Sequence, residues 1–301
     1  MSRIVFIDGA TGEEKEEKVY GESFVRFAYT NPLGKVLGRV AAKAFFSKLY
    51  GLYQDSPLSK GKVAPFIEKF SIPMEEFLPT EGRSPQDPYG SFNEFFTRRF
   101  RPGAREFCAG GNLPAPCEGR YLVYPRIHGE MNFPVKGDDL SFPHLFANER
   151  WARVFEGGPL FIARLCPVDY HRFHFPDDGC TLGHYRIPGA LHSVNPLALK
   201  TRKDVFIANE RRVSILETAH FGKMALIEVG ALCVGRIRQT HPTDKDFKRG
   251  EEKGMFLFGG STVIGLGEKG RWGFDKSLEA NTASCKETYL KLGQRIGTVS
   301  P

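Results

Sequence analysis

MFLFGGSTVIGLGEKG, residues 255–270, is the stretch on which the reading of this chain turns. It has the apolar character of a buried strand on both sides of Gly259-Gly260-Ser261-Thr262. Glycine weakens a strand interior unless the backbone must bend or approach something closely. Hydroxyls that become buried need partners. The stretch is therefore either a bulge or a site. It also contains Gly265-x-Gly267-x-x-Gly270, the spacing of a dinucleotide loop. Such a loop needs a helix to follow, whose N-terminus holds the pyrophosphate. The chain continues Arg271-Trp272-Gly273-Phe274-Asp275, a poor helix start, and ends soon after. A turn after a strand is the better reading.

Working outward, the region after about Arg105 is built from short β-branched and aromatic runs: RYLVYP (120–125), GPLFIARLCP (158–167), RVSILET (212–218) and MALIEVGALCVGRI (224–237). Strands at this density predict a compact β-rich domain. Before it the pattern differs. Ser2–Asp8 alternates as a short strand or hairpin, and Pro32–Tyr53 and Gly61–Phe70 carry helical spacing. Ser91 followed by Glu94 has the spacing of a capping box. The expected fold is α+β: a helical N-terminal region, residues 1–105, precedes a barrel- or sandwich-like β-rich catalytic domain, residues 106–301.

The formal charge of +7 over 301 residues suggests an anionic partner, either nucleic acid or an anionic membrane surface, with plain solubility as the alternative. Lys35, Arg39, Lys43 and Lys48 decorate the Pro32–Tyr53 segment. A basic amphipathic helix of this kind lies in a membrane interface or packs on its own core with a solvated basic face. The six cysteines form no C-x-x-C pair, so no zinc or redox motif is indicated, and their scatter fits a reducing compartment. Neither a signal peptide nor an apolar run long enough to span a bilayer is expected.

Two further stretches carry chemistry. PVDYHRFHFPDDG (167–179) places His171 and His174 three apart, between prolines. In a regular strand the two would point to opposite faces, so a turn is needed if both serve one site. With no H-E-x-x-H and no obvious third ligand, a metal is not expected. LPAPCEGR (113–120) offers Glu118, an ordinary turn carboxylate unless it lies behind a histidine.

Together with SFNEFFTRRFRPGAR (91–105), HSVNP (192–196), ANERR (208–212) and FGGSTVI (258–264), these stretches resemble the phosphatidylserine decarboxylase family. These are pyruvoyl-dependent enzymes made as self-cleaving proenzymes. The resemblance implies cleavage between Gly260 and Ser261, giving a β chain of residues 1–260 and an α chain of residues 261–301 that remain associated without a covalent link. Ser261 would become the pyruvoyl group, the only cofactor expected. The resemblance assigns His174 as the base that activates Ser261, a carboxylate at Glu118 behind it, and His171 as proton donor in decarboxylation through a Schiff base. The substrate would be phosphatidylserine, drawn from an anionic membrane surface at the cytoplasmic face, by a peripheral protein that does not bind nucleic acid; a homodimer is allowed. This shifts Leu33–Tyr53 towards membrane contact. One departure stands out: the family typically has Asp where this chain has Glu118, one methylene longer. The rival readings are a pyruvoyl decarboxylase of a soluble amino acid and a membrane-binding relative that does not mature.

Overall fold

The structure, a computed structural model, describes residues 4–17, 44–127, 130–133, 138–192, 205–231, 236–259 and 261–300. The strand Ser261–Gly267 lies in the middle of a nine-stranded sheet. In spatial order the strands are Gly179–Ile187, Arg211–Thr218, Gly222–Val229, Ser261–Gly267, Leu160–Leu165, Gly119–Tyr124, Glu287–Leu290, Val5–Asp8 and Glu14–Glu16. Neighbours run antiparallel except Val5–Asp8, which is parallel to Glu287–Leu290.

The period-two alternation of a strand splits the middle of the sheet into two cores. On the face of Val263 lie Leu226, Ala163 and Tyr121. They are covered by Phe173, Phe256, Trp272 and Ile296, which come from two three-stranded sheets. On the face of Ile264 and Leu266 lie Ile162 and Ile227, covered by Phe146, Phe155 and Phe206 of short helices. Ser261 shares the first face with Val263.

The expectation of a barrel is corrected here. Closure requires the first and last strands of the sheet to pair. Here Gly179–Ile187 and Glu14–Glu16 remain at opposite edges. The second edge reads Glu-Lys-Glu and is exposed at all three residues, a charged edge that discourages further pairing. The α+β class stands. The turn reading of the GLGEKG segment also holds: the strand Trp272–Phe274, not a helix, follows it. Gly265 and Gly267 are strand residues whose missing Cβ atoms make room for rings. A Cβ at Gly265 would fall 2.1 Å from the Phe161 ring, and one at Gly267 would fall 2.2 Å from Trp272.

At the N-terminal side, Ala44–Asp55 and Val63–Phe70 are helical, joined by a 3₁₀ turn over Pro57–Lys62. Residues 18–43, which carry most of the amphipathic pattern, lie outside the described residues. Ser91 caps the helix Phe92–Phe96 by accepting from the Glu94 N–H. Glu94 reaches back to Gly90 N–H, one residue short of the Ser91 N–H of a capping box. The helix ends at Phe96, and Arg99–Phe100 pairs with Phe77–Leu78. Phe66, Tyr89, Phe92, Phe95 and Phe96 form a third core, and Phe258 of the opening stretch is buried within it. The helical module is thereby packed directly on the segment that leads to Ser261. Among the described residues no helix is long and apolar enough to cross a membrane.

Candidate active site

Ser261 begins its strand opposite Leu165, and the chain from Leu165 runs at once into the turn Cys166–Asp169. The turn is closed by Asp169 N–H donating to Cys166 O at 2.9 Å and by Cys166 N–H donating to the Asp169 carboxylate at 2.6 Å. It delivers His171 to Ser261. His171 Nδ1 stands 3.3 Å from Ser261 Oγ, and its Nε2 stands 2.9 Å from Cys166 O. Both side chains are fully buried. A carbonyl oxygen only accepts, so Nε2 carries the ring proton and Nδ1 presents its lone pair to the serine hydroxyl. Phe96 stacks on the imidazole at 3.8 Å and excludes water from that face. Burial pushes the His171 imidazolium down to about 3, with the Arg98 guanidinium adding to the shift. The ring is therefore neutral at physiological pH and able to take a proton.

A buried ionic network fixes the turn. Arg120 pairs with Asp169 at 2.5 Å and with Glu17 at 2.9 Å, while Arg164 pairs with Glu17 and Glu287. Burial opposes ionisation of Glu17, but the two guanidiniums prevail and hold its carboxyl at about 2. Arg98 ties the aromatic helix to the same turn by donating to Val168 O at 2.9 Å and Asp169 O at 3.3 Å. Sequence reasoning named neither Asp169 nor Arg98 as part of the site, although both lie inside motifs it singled out.

His174 goes elsewhere. It closes the short strand Arg172–His174, whose pairing with Glu252–Phe256 shifts register between Phe173 and His174. Its Nδ1 is 2.9 Å from Gly250 O, and its Nε2 is 3.3 Å from the Tyr170 hydroxyl. Burial holds it below its ordinary value as well. Glu118 is buried and accepts from Arg105 Nε at 2.5 Å and Leu292 N–H at 3.4 Å. Burial pushes its carboxyl up, and Arg105 opposes this. Arg105 in turn holds Glu76 at 2.8 Å. Of the four residues the sequence singled out, the structure brings Ser261 and His171 together. It joins His174 to neither Ser261 nor Glu118. Glu118 and His174 lie on adjoining segments, with His174 N–H donating to Pro116 O at 2.8 Å.

Gly260 and residues 193–196 of the HSVNP stretch lie outside the described residues. Gly259 has φ 136°, a region that L side chains rarely adopt, so glycine is required there. The backbone therefore makes its unusual bend one residue before the Gly260–Ser261 bond. Among the described residues no cluster of His, Cys, Asp and Glu could hold a metal ion.

A buried serine facing a neutral imidazole is the arrangement of a nucleophile with its base. The sequence profile of phosphatidylserine decarboxylase matches residues 92–298. Proteins named phosphatidylserine decarboxylase proenzyme in Fusobacterium nucleatum, Clostridium tetani and Chlamydia trachomatis are 40%, 38% and 37% identical over 299, 295 and 296 residues. These alignments cover 99%, 98% and 98% of this chain and 98%, 98% and 97% of theirs. The chain belongs to the phosphatidylserine decarboxylase family.

Proposed function

We propose that this chain is a proenzyme that cuts itself between Gly260 and Ser261 and then decarboxylates phosphatidylserine to phosphatidylethanolamine and carbon dioxide. Family membership supports the reaction. The single observation that carries the site is the His171–Ser261 contact.

In the cutting step, Ser261 Oγ attacks the Gly260 carbonyl carbon. Its proton passes to an imidazole, and the Ser261 nitrogen takes up a proton as the amide becomes an ester. Loss of the Ser261 α-proton then breaks the Cβ–O bond and releases residues 1–260 with a carboxylate end. Water replaces the nitrogen left at position 261, which departs as ammonia, and a pyruvoyl group remains. That group supplies the electron sink for loss of carbon dioxide. The site fits it: the group forms from Ser261 itself, in a fully buried position lined by a neutral ring. His171 already faces that position and, once its Nδ1 has taken up a proton that comes from solvent, is our proton donor to the substrate carbon. It is also the nearer base in the uncleaved chain.

A second reading keeps the cutting base at His174 with Glu118 behind it. The neutral state of His174 and its contact with Pro116, two residues from Glu118, favour it. It requires Glu118 to leave Arg105 and His174 to leave Tyr170. His171→Ala and His174→Ala separate the two: the variant that remains a full-length chain while still folded names the base.

Four of the five exposed large apolar side chains among the described residues belong to the helical module that carries the aromatic core. Leu49, Leu52 and Tyr53 lie on the helix Ala44–Asp55 and Leu58 on the turn after it, with Leu58 82% exposed. Lys60 and Lys62 flank them, and Lys62 Nζ lies 4.2 Å from the Tyr53 ring centroid. Leucines beside lysines suit the boundary between acyl chains and anionic headgroups. On this reading the protein is a peripheral membrane protein.

The test of the whole reading is direct. The unmodified chain should yield two fragments, and Ser261→Ala should leave one chain of 33.8 kDa. Two fragments from Ser261→Ala would overturn the cleavage assignment. Carbon dioxide release from phosphatidylserine vesicles but not from free serine separates this function from that of a soluble amino-acid decarboxylase.

A further inference from the structure

The segment entering the cleavage site is held residue by residue. Phe256 N–H donates to His171 O at 2.9 Å and Leu257 N–H to Arg236 O at 3.1 Å. Phe258 N–H is taken by a side chain: Asn93 Oδ1, at 2.9 Å. Asn93 belongs to the helix Phe92–Phe96 and is buried. Its amide is oriented from the other end, where Nδ2 donates to Asp55 Oδ1 at 2.5 Å. The two contacts fix which amide atom is which, because a carboxylate only accepts and a backbone N–H only donates. A flipped amide would lose both bonds. Asp55 closes the helix Ala44–Asp55, where it also pairs with Arg236. The Phe258 ring is clamped beside Phe92 and Phe96, at 5.1 Å each, and Tyr50, at 5.8 Å.

We infer that Asn93 is a positioning residue for self-cleavage. By holding Phe258 N–H, and being held by Asp55, it fixes the backbone just ahead of the bend at Gly259. The inference rests on the cleavage reading above. Near-attack alignment of Ser261 Oγ on a carbonyl is sensitive to shifts of about 1 Å. A glycine pair leaves the backbone free to make such shifts unless the residues before it are anchored. Phe258 is that anchor, tied to the helical module both by its ring and by its N–H. The helix that exposes Leu49 and Leu52 thus ends on the residue that orients Asn93.

The experiment is a pulse–chase of freshly synthesised full-length chain, following the appearance of the small fragment well below the melting temperature. Asn93→Ala should slow cleavage by about tenfold or more. Asn93→Asp keeps an acceptor for Phe258 N–H but sets a second carboxylate against Asp55, and should slow it comparably. Asp55→Asn removes that repulsion. The double variant Asn93→Asp/Asp55→Asn, in which the introduced carboxylate accepts from both sides, should return to within about threefold of the unmodified rate. Melting temperatures of the same substitutions in the Ser261→Ala background check that each chain is folded. A folded Asn93→Ala chain that matures at the unmodified rate overturns the proposal, as does a double variant as slow as Asn93→Asp alone. An unmodified chain that never cleaves sinks the cleavage reading instead, so the two failures are distinguishable.

Discussion

His171 and His174 come from one short motif, yet they occupy opposite settings. His171 sits in a dry slot under Phe96, its tautomer set by the Cys166 carbonyl and its open lone pair directed at Ser261. His174 is used up by Gly250 O and the Tyr170 hydroxyl, near a carboxylate, Glu118, that is itself bound to Arg105. Both rings are neutral because burial excludes their charged forms. Neutrality alone therefore does not make a base; the direction of the free lone pair does. That direction is set by a turn whose charge support comes from Arg120, Arg164 and Glu17, distant in sequence.

The sharpest way to break this comparison is to remove each ring in turn. His171→Ala should lower phosphatidylserine decarboxylation by about 10²–10⁴-fold, the usual contribution of a positioned acid or base. Carbon dioxide release per folded protein measures it. His174→Ala should leave a folded chain that still cleaves. A chain that stays whole would move the base to His174, as the resemblance implied.

The next largest effect concerns the network behind the His171 turn. Arg120→Met leaves the buried Asp169 carboxylate without its cation and should cost about 3–5 kcal/mol. Urea unfolding in the Ser261→Ala background reads this without interference from cleavage.

Acid should then weaken the fold in stages. Free histidine titrates near 6.5, but His171 in the folded chain protonates only near 3, and burial holds His174 below its ordinary value as well. Between those values the unfolded chain binds protons that the folded chain refuses. Stability therefore falls as pH drops below about 6.5, by up to about 1.4 kcal/mol per pH unit for each such group. Glu17, held at about 2 against an ordinary 4.5, adds its own loss as pH falls below about 4.5. Denaturant midpoints measured from pH 7.5 to 4 check the sign. Glu118 and Asp169, whose carboxyls burial pushes up, act in the opposite sense, so His171→Ala is the control: it should lose less stability over this range than the unmodified chain, and an equal loss contradicts the burial of the ring.

The smallest effect should come from the Leu52 and Leu58 patch. Changing either to Asp removes about 1.5–3 kcal/mol of apolar burial in a membrane interface and should weaken vesicle flotation without altering the melting temperature. Unchanged flotation would detach this face from the membrane.

Much of this was legible in the sequence. The buried-strand character around Val263–Leu266, the Ser91 cap and the turn after Gly267 rest on short-range patterns, and the structure reproduces them; the choice of Ser261 rests on the resemblance. The open sheet was not legible, because strand order depends on pairings such as Val5–Asp8 with Glu287–Leu290 that no local pattern encodes. Nor was the split between the histidines. Their spacing calls for a turn between them only if both serve one site; the turn that delivers His171 to Ser261 is Cys166–Asp169, ahead of both, and the setting of the ring depends on the Cys166 carbonyl and on Phe96. Asn93 stood inside a quoted motif and still gave no signal, because its partners Asp55 and Phe258 are 38 and 165 residues away.

The central claim is that Ser261 breaks the chain and becomes the reactive group. The most direct measurement is the intact mass of the small fragment from freshly purified protein, with and without a reagent for ketones. The account predicts a fragment of residues 261–301 whose first residue carries a pyruvoyl group in place of serine and which gains one reagent adduct. A single full-length chain, or a fragment that begins with an unmodified serine and a free amine, would contradict it.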